Sequence, residues 1–484
     1  MRCGLWKKRS ITAETRAGLS LVQHGYWQRA QSLFYQAMVK ATQGTYNNTL
    51  PKAEMCLWEE QWLCCASRLS QWDVLVDFGK MVENYEILLD SLWTQPDWAY
   101  LKDHVIPKAQ VEDSPKLRII QAYFSLHEKS TNGVAEAENT VGKGVDLALE
   151  QWWQLPEMSI HAKISLLQQF QQLVEVQESA RIIVDIANGN KLSGNSVVGV
   201  HGGLYADLKD ILETWRLRMP NEWDSSSVWY DLLQWRNEMY NGVIDAFKDF
   251  GSTNSQLHHL GYRDKACNVN KLAHIARKQG LYEVCVFVLE KMYGHPTMEV
   301  QEAFVKIREQ AKAYLEMKGE LTTGLNLINS TNLEYFTVKH KAEIFRLKGD
   351  FLLKLNDCEG ANLAYSNAIS LFKNLPKGWI SWGNYCDMAY KETHEEIWLE
   401  YAVSCFLQGI RFGIPNLRSH LARVLRSHLA RVLYLLSFDT PNELVGRAFD
   451  KHLERYPPGL GFLGFHSYYF PCRGHKLHIA SLCF

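Results

Sequence analysis

One spacing of small and aromatic residues constrains this chain more than any other feature. In the stretch 339–372, KHKAEIFRLKGDFLLKLNDCEGANLAYSNAISLF, Ala342, Phe345, Gly349 and Leu352 recur at steps of three and four. They therefore share one helical face. Asn356 and Asp357 interrupt the pattern with turn chemistry. Ala361, Tyr365 and Ala368 restart it at steps of four and three. The stretch reads as two short helices joined by a tight turn. A single hairpin of this kind cannot bury its apolar side alone, so it predicts neighbours.

The neighbours are present in the sequence. The small–aromatic–small spacing recurs at Ala30, Phe34 and Ala37, preceded by Gly25 and Tyr26. Looser copies fall at Val74–Phe78–Met81, at Cys285–Leu289–Met292 after Gly280 and Tyr282, and at Ala402–Phe406–Gly409. Gly324 and Ile328 form a fragment of it. The second-half anchors at 285, 324, 361 and 402 stand 39, 37 and 41 residues apart, slightly more than the period of a tetratricopeptide repeat. The expected fold is all-α, an α-solenoid of tetratricopeptide- or HEAT-like hairpins. Its repeat positions are Ala30, Phe34, Ala37, Cys285, Leu289, Ala361, Tyr365, Ala368, Ala402 and Phe406. The rival reading is an ordinary non-repeating helical domain.

A chain of 484 residues exceeds one simple core, and a solenoid grows without enlarging its core. Net charge is −1, so no global basic field draws in nucleic acid or an anionic membrane. No apolar run reaches the length of a membrane span. The opening MRCGLWKKRS lacks the apolar segment of a secretory signal. The 11 cysteines show no CxxC pattern, and Cys64, Cys65, Cys285 and Cys405 lie in helical runs, as buried thiols do in a reducing compartment.

Taken in order, 1–187 reads as the N-terminal part of the helical repeats. Within it Ile160, Ile164, Leu167, Phe170 and Val174 make a clean apolar stripe. The stretch 188–203, NGNKLSGNSVVGVHGG, holds five glycines in sixteen residues and reads as a connecting loop. It lacks the GxxxxGK or GxGxxG pattern of a phosphate-binding loop. Helix resumes over 204–454, with Trp229, Leu232, Trp235, Met239 and Val243 as a core stripe and repeats from about Asp264. Two features break the pattern. RSHLARVL at 418–425 recurs unchanged at 426–433, and eight inserted residues rotate a helix two turns plus about 80°. From 455 to 484 the composition turns to Gly, Pro and aromatics with no helical period, so the solenoid is not expected to continue there.

Chemistry is sparse. The run Tyr262–Arg263–Asp264–Lys265–Ala266–Cys267–Asn268 approaches a kinase catalytic loop, but the first residue is Tyr and Asn268 stands four, not five, after Asp264. Arg263 and Asp264 are read instead as the start of a repeat helix. Adjacent His258 and His259 cannot both face one ion from a regular helix. Cys472, His475 and His478 lack a fourth ligand nearby. No nucleophile carries a local signature, and no metal or cofactor is expected.

Long stretches then resemble a known family: GYWQRAQSLFYQAMVKATQGTY, LHHLGYRDKACNVNKLAHIARKQGLYEVC, NLEYFTVKHKAEIFRLKGDFLLKLND and EIWLEYAVSCFLQGIRFGI are similar to the FAT region of the transformation/transcription domain-associated family. The resemblance covers about 1–454. It implies a giant pseudokinase of the phosphatidylinositol-3-kinase-related class, whose FAT solenoid clasps a kinase-like domain without catalytic residues. It further implies a non-enzymatic nuclear scaffold linking activators to SAGA-type and NuA-type histone acetyltransferase complexes. The implied partners are acetyltransferase complex subunits, transcription activators and the family's own kinase-like domain, with no direct nucleic-acid or membrane contact. On this reading the chain is a segment without the HEAT arm or kinase-like domain. Two other functions stand beside it: the regulatory segment of an active kinase of that class, and a stand-alone peptide-binding repeat adaptor.

Overall fold

The computed structural model describes residues 12–43, 52–94, 97–108, 113–127, 133–192, 200–222, 224, 226–246, 255–290, 292, 298–317 and 319–413. The RSHLARVL duplication, the 455–484 stretch and the Cys472/His475/His478 set lie outside them. The described residues are helices and short turns, with no strand among them. They divide into two compact units, one up to Glu302 and one from Ala303.

In the first unit the helices are α1 (Ala13–Gln23), α2 (Trp27–Thr42), α3 (Lys52–Arg68), α4 (Trp72–Val82), α5 (Tyr85–Thr94), α6 (98–108, with a π-helical turn at Leu101–Val105), α7 (Pro115–His127), α8 (Gly133–Gln154), α9 (Ile160–Leu192), α10 (Val200–Leu217), α11 (Ser226–Ala246), α12 (Ser255–Lys278) and α13 (Tyr282–Glu290). Helix α14 (Val300–Glu316) begins at the boundary. The second unit continues with α15 (Leu321–Ser330), α16 (Val338–Lys354), α17 (Cys358–Leu371), α18 (Pro376–Thr393) and α19 (Glu396–Gly413).

The hairpins share one turn. At Gly25, Ser70, Gly280 and Asn356 the chain enters the left-handed region, with φ of 76°, 58°, 81° and 63°. Each of these N–H groups bonds the carbonyl three residues back, and the following N–H reaches five residues back, as Asn356 N to Leu353 O (3.1 Å) and Asp357 N to Leu352 O (2.9 Å) show. This satisfies the last carbonyls of one helix and turns the chain into the next. After Asn356 the next helix starts on its own cap, the Asp357 carboxylate accepting from Gly360 N at 3.0 Å, whereas Tyr26 and Gln71 supply no such side-chain cap. Such short connections make consecutive helices antiparallel neighbours.

Crossings are close because one side supplies no side chain. A Cβ on Gly18 would stand 2.6 Å from the Phe34 ring, and one on Gly349 2.5 Å from the Tyr365 ring. Both glycines precede the small residue of their crossing, Ala30 or Ala361, by twelve positions. Within each unit, helices pack on their chain neighbours, and α1 on α3, α7 on α9 and α16 on α18 continue the stacking. One helix departs from this order: α11 also packs on α3 and α5, over 130 residues earlier. Its Trp235 joins the core of Leu88, Leu101, Ile119, Tyr123 and Val176.

Several expectations change here. Helix α9 continues to Leu192 and α12 begins at Ser255, so the loop read at 188–203 is helical over 188–192 and 200–203, and Asp264 sits inside a helix rather than starting one. Glycine costs a helix about 1 kcal/mol per residue but does not forbid it. The compact units part at Glu302 and not in the glycine-rich stretch, because α9 and α11 share a core. The copy at Val74–Phe78–Met81 is out of register: Val74 and Met81 are exposed, and α4 buries Trp72, Leu75, Val76 and Gly79. Its Gly79 takes the Leu88 side chain, which fixes that face inward. Cys64 is exposed, whereas Cys65, Cys285 and Cys405 are buried.

Candidate functional site

The ten repeat positions all lie in the interior. Ala30, Phe34 and Ala37 on α2 pack with Leu19, Leu57 and Trp58. Cys285 and Leu289 on α13 are fully buried, as is Ala368 on α17. Ala361 and Tyr365 on α17 share a cluster with Ala402 and Phe406 on α19. These residues join helices rather than face a ligand. Sequence reasoning did not use Gly18 or Gly383, whose missing side chains admit Phe34 and Phe406. A glycine in the helix before the small–aromatic–small triplet was the available signal, twelve positions before Ala30 and nineteen before Ala402.

The interior also holds charge, and there the sequence was less informative. Arg236 on α11 is fully buried. Its Nε and Nη2 donate to both oxygens of Glu175 on α9, at 2.9 and 2.6 Å. Its Nη1 and Nη2 also donate to the carbonyls of Trp215 and Arg218, at 2.7 Å each. Those carbonyls end α10, so one guanidinium closes a helix C-terminus and pairs a buried carboxylate. Around it Arg218 forks onto Glu178 at 3.0 and 3.1 Å, Trp215 Nε1 donates to Glu178 at 2.6 Å, and Trp235 Nε1 donates to Ser179 Oγ at 2.9 Å. The side-chain pairs are 37–61 residues apart in sequence and the two carbonyls 21 and 18 from Arg236, each on a different helix or past its end, so no local motif announces them.

Three further clusters tie elements together. The buried carboxylate of Glu54 accepts from Thr12 and Thr15 at 2.7 and 3.0 Å, and Trp58 Nε1 donates to Thr15 at 2.6 Å. Asp231 on α11 lies by the Lys116–Asp90 ion pair between α7 and α5. Desolvation pushes the Asp231 carboxyl up to about 6, with the Lys116 ammonium opposing and Asp90 adding. In the second unit Tyr365 Oη donates to Asp350 at 2.8 Å, and Asp350 and Glu343 pair with Arg346. The repeat aromatic is thus fixed at both its ring and its hydroxyl.

The kinase-like run is spent structurally. Asp264 is buried in α12 and pairs with Arg263 at 3.1 Å and Arg216 at 3.7 Å. Desolvation raises its pKa, and both guanidiniums oppose the rise. A carboxylate so enclosed has no open approach for a hydroxyl substrate. Among the described residues no group of three or more His, Cys, Asp or Glu could hold a metal ion. No helix among them is long and apolar enough to cross a membrane.

One cleft of ≈ 190 Å³ opens in the first unit, between α9 and the 219–232 segment. Ile164, Leu167, Gln168, Gln171 and Gln172 form one wall, and Met219, Pro220, Val228 and Leu232 the other. The apolar stripe on α9 is largely uncovered: Ile160, Ile164, Leu167 and Val174 are exposed. Helix α9 buries its other face instead, through Leu166, Leu173, Glu175, Val176 and Ser179.

Stacked antiparallel hairpins whose buried charges answer one another define a helical-repeat protein of the α-solenoid class, which presents surface rather than a deep pocket. The chain belongs to the FAT domain family, which matches residues 63–426, three quarters of its length. It is 34% identical over 470 residues to the SAGA complex/NuA4 acetyltransferase complex subunit TRA1 of Saccharomyces cerevisiae, covering 94% of this chain and 12% of that protein. Tra1 of Schizosaccharomyces pombe, with the same description, is 34% identical over 473 residues, covering 93% and 12%. The transformation/transcription domain-associated protein of Mus musculus is 32% identical over 479 residues, covering 95% and 18%. The chain therefore spans less than a fifth of the length of these curated relatives. A tetratricopeptide-repeat domain of known structure aligns over 89% of this chain and 99% of its own at 13% identity, with a TM-score of 0.23.

Proposed function

We propose that this chain is a non-catalytic scaffold segment of a transcription coactivator, joining activators to histone acetyltransferase complexes in the nucleus. The observation that carries this reading is the 34% identity, along nearly the whole chain, to a protein named as a subunit of two such complexes. The interior agrees with it. Arg236 pairs with Glu175, Arg346 with Glu343 and Asp264 with Arg263, within the packing of the helices. Its partners on this reading are acetyltransferase complex subunits, activators and the kinase-like domain of its own family.

The test is capture on the immobilised chain from nuclear extract, with acetyltransferase subunits quantified by mass spectrometry. Enrichment over a Gly349→Trp variant, whose hairpin cannot close, supports the scaffold. A folded chain that recovers no such subunit refutes it. Nucleotide turnover by the purified chain would equally end the non-catalytic reading.

A further inference from the structure

The first four turns of α9 are unusual for a helix in water. From Ile160 to Val174 the only charged side chain is Lys163, and it is already engaged, donating to Glu157 O at 3.1 Å and lying over the Trp152 ring at 5.4 Å. A solvent-facing helix normally carries charge on its outer side. Here the outer side carries Ile160 (66% exposed) and Leu167 (53%) among glutamines, and the segment leading into it carries Trp153 (81%) and Met158 (91%). Depletion of charge together with exposed Trp and Met is the composition of an interface core, not of free surface.

The shape narrows what can sit there. From Ile160 to Val174 the stripe runs about 21 Å at 1.5 Å per residue, the length of four helical turns. Ile164 and Leu167 open directly into the cleft, whose far wall is Met219, Pro220, Val228 and Leu232. A ridge and a furrow of this length take the apolar face of one helix. Acidic groups outnumber free cations at this face: Asp224 lines the cleft, Glu222 follows the lining residue Asn221, and Glu157 and Glu222 are exposed. Of the nearby cations, Arg218 is forked onto Glu178, and Lys163 donates to the Glu157 carbonyl and keeps its charge.

We propose that this face of α9 docks an amphipathic helix of a partner protein, with leucine-like residues on its buried side and lysine or arginine on its flanks. The proposal deepens the scaffold reading and rests on it, by naming one surface and the chemistry of what it holds. Apolar contact supplies affinity, and the acidic rim sets polarity and selects against acidic helices.

A fluorescent 18-residue helical peptide with a leucine stripe and lysine flanks is titrated into the full chain by anisotropy, beside a version carrying glutamate flanks. The expected result is saturable binding of the lysine peptide, at least about tenfold tighter than the glutamate peptide and weakened by salt. Leu167→Glu, at an exposed position that leaves the fold intact, weakens it at least about tenfold. Glu222→Lys narrows the preference between the two peptides. Unchanged affinity in Leu167→Glu, no binding of the lysine peptide, or equal binding of both peptides overturns the proposal. So does sedimentation showing a dimer that Leu167→Glu dissociates, since the occupant is then a second copy. No acetyltransferase subunit enters this assay, so its failure and failure of the scaffold reading are read separately.

Discussion

Gly142→Ala and Gly349→Ala are the same chemical change in the middle of two helices, and the structure gives them opposite signs. In α8 nothing lies within 4 Å of the position a Cβ on Gly142 would take. There the substitution gains the helix propensity of alanine, about 1 kcal/mol. In α16 a Cβ on Gly349 would meet Tyr365 Cε1, Cδ1 and Cζ at 2.5, 2.7 and 2.9 Å. The ring cannot swing aside freely, because its hydroxyl donates to Asp350 and its face packs among Ala361, Tyr385 and Phe406. Overpacking of a tight core costs about 1–3 kcal/mol, and three ring atoms inside contact distance place this site near the upper end. After the propensity gain, Gly349→Ala is expected to destabilise its unit by about 2 kcal/mol. The two variants therefore differ by about 3 kcal/mol, over a hundredfold in local opening. Amide hydrogen exchange resolves this by peptide, which matters in a chain of two compact units that need not unfold together. Faster exchange across α16 and α17 in Gly349→Ala, with slower exchange in α8 for Gly142→Ala, is the expected pair of results. Adding Tyr365→Leu should recover most of the loss, as contacting residues couple. Protection of α16 in Gly349→Ala equal to or above wild type would refute the close-crossing geometry.

Arg236→Met leaves Glu175 buried without its bidentate partner and α10 without its carbonyl donor, so a loss of about 3–5 kcal/mol is expected in urea unfolding of the first unit; pairing it with Glu175→Gln should return part of that. The Asp231 carboxyl, held up to about 6 against an ordinary value of 3.8, binds its proton more tightly in the folded chain. Its contribution is therefore fully present below pH 3.8 and is lost as pH rises through 6, on the order of 1–3 kcal/mol. Asp231→Asn should flatten that part of the stability–pH curve, and an unchanged difference between the two chains from pH 4 to 7 would contradict it. Ala361→Trp puts a large ring where a fully buried alanine meets the α18–α19 core, and a melting temperature at or above wild type would remove Ala361 from that crossing.

What the sequence determined was local. A period of three and four fixes which residues can share a helical face, and Gly25, Gly280 and Asn356 mark where the chain turns, because glycine and asparagine tolerate the left-handed conformation. Those two signals sufficed for the all-α class, the hairpins and the buried positions Ala30, Phe34, Ala361 and Tyr365. They could not say which of two apolar stripes on one helix meets a neighbour. Helix α9 carries both Ile160–Ile164–Leu167 and Leu166–Leu173–Val176, and only the second is covered. Periodicity within a helix is encoded by its own residues, whereas burial is conferred by another element. The same holds for Arg236 and Glu175, 61 positions apart, and for the return of α11 onto α3 and α5. Tertiary packing alone decided these, because desolvating a charge is tolerated only where a distant partner and a helix end happen to converge on it.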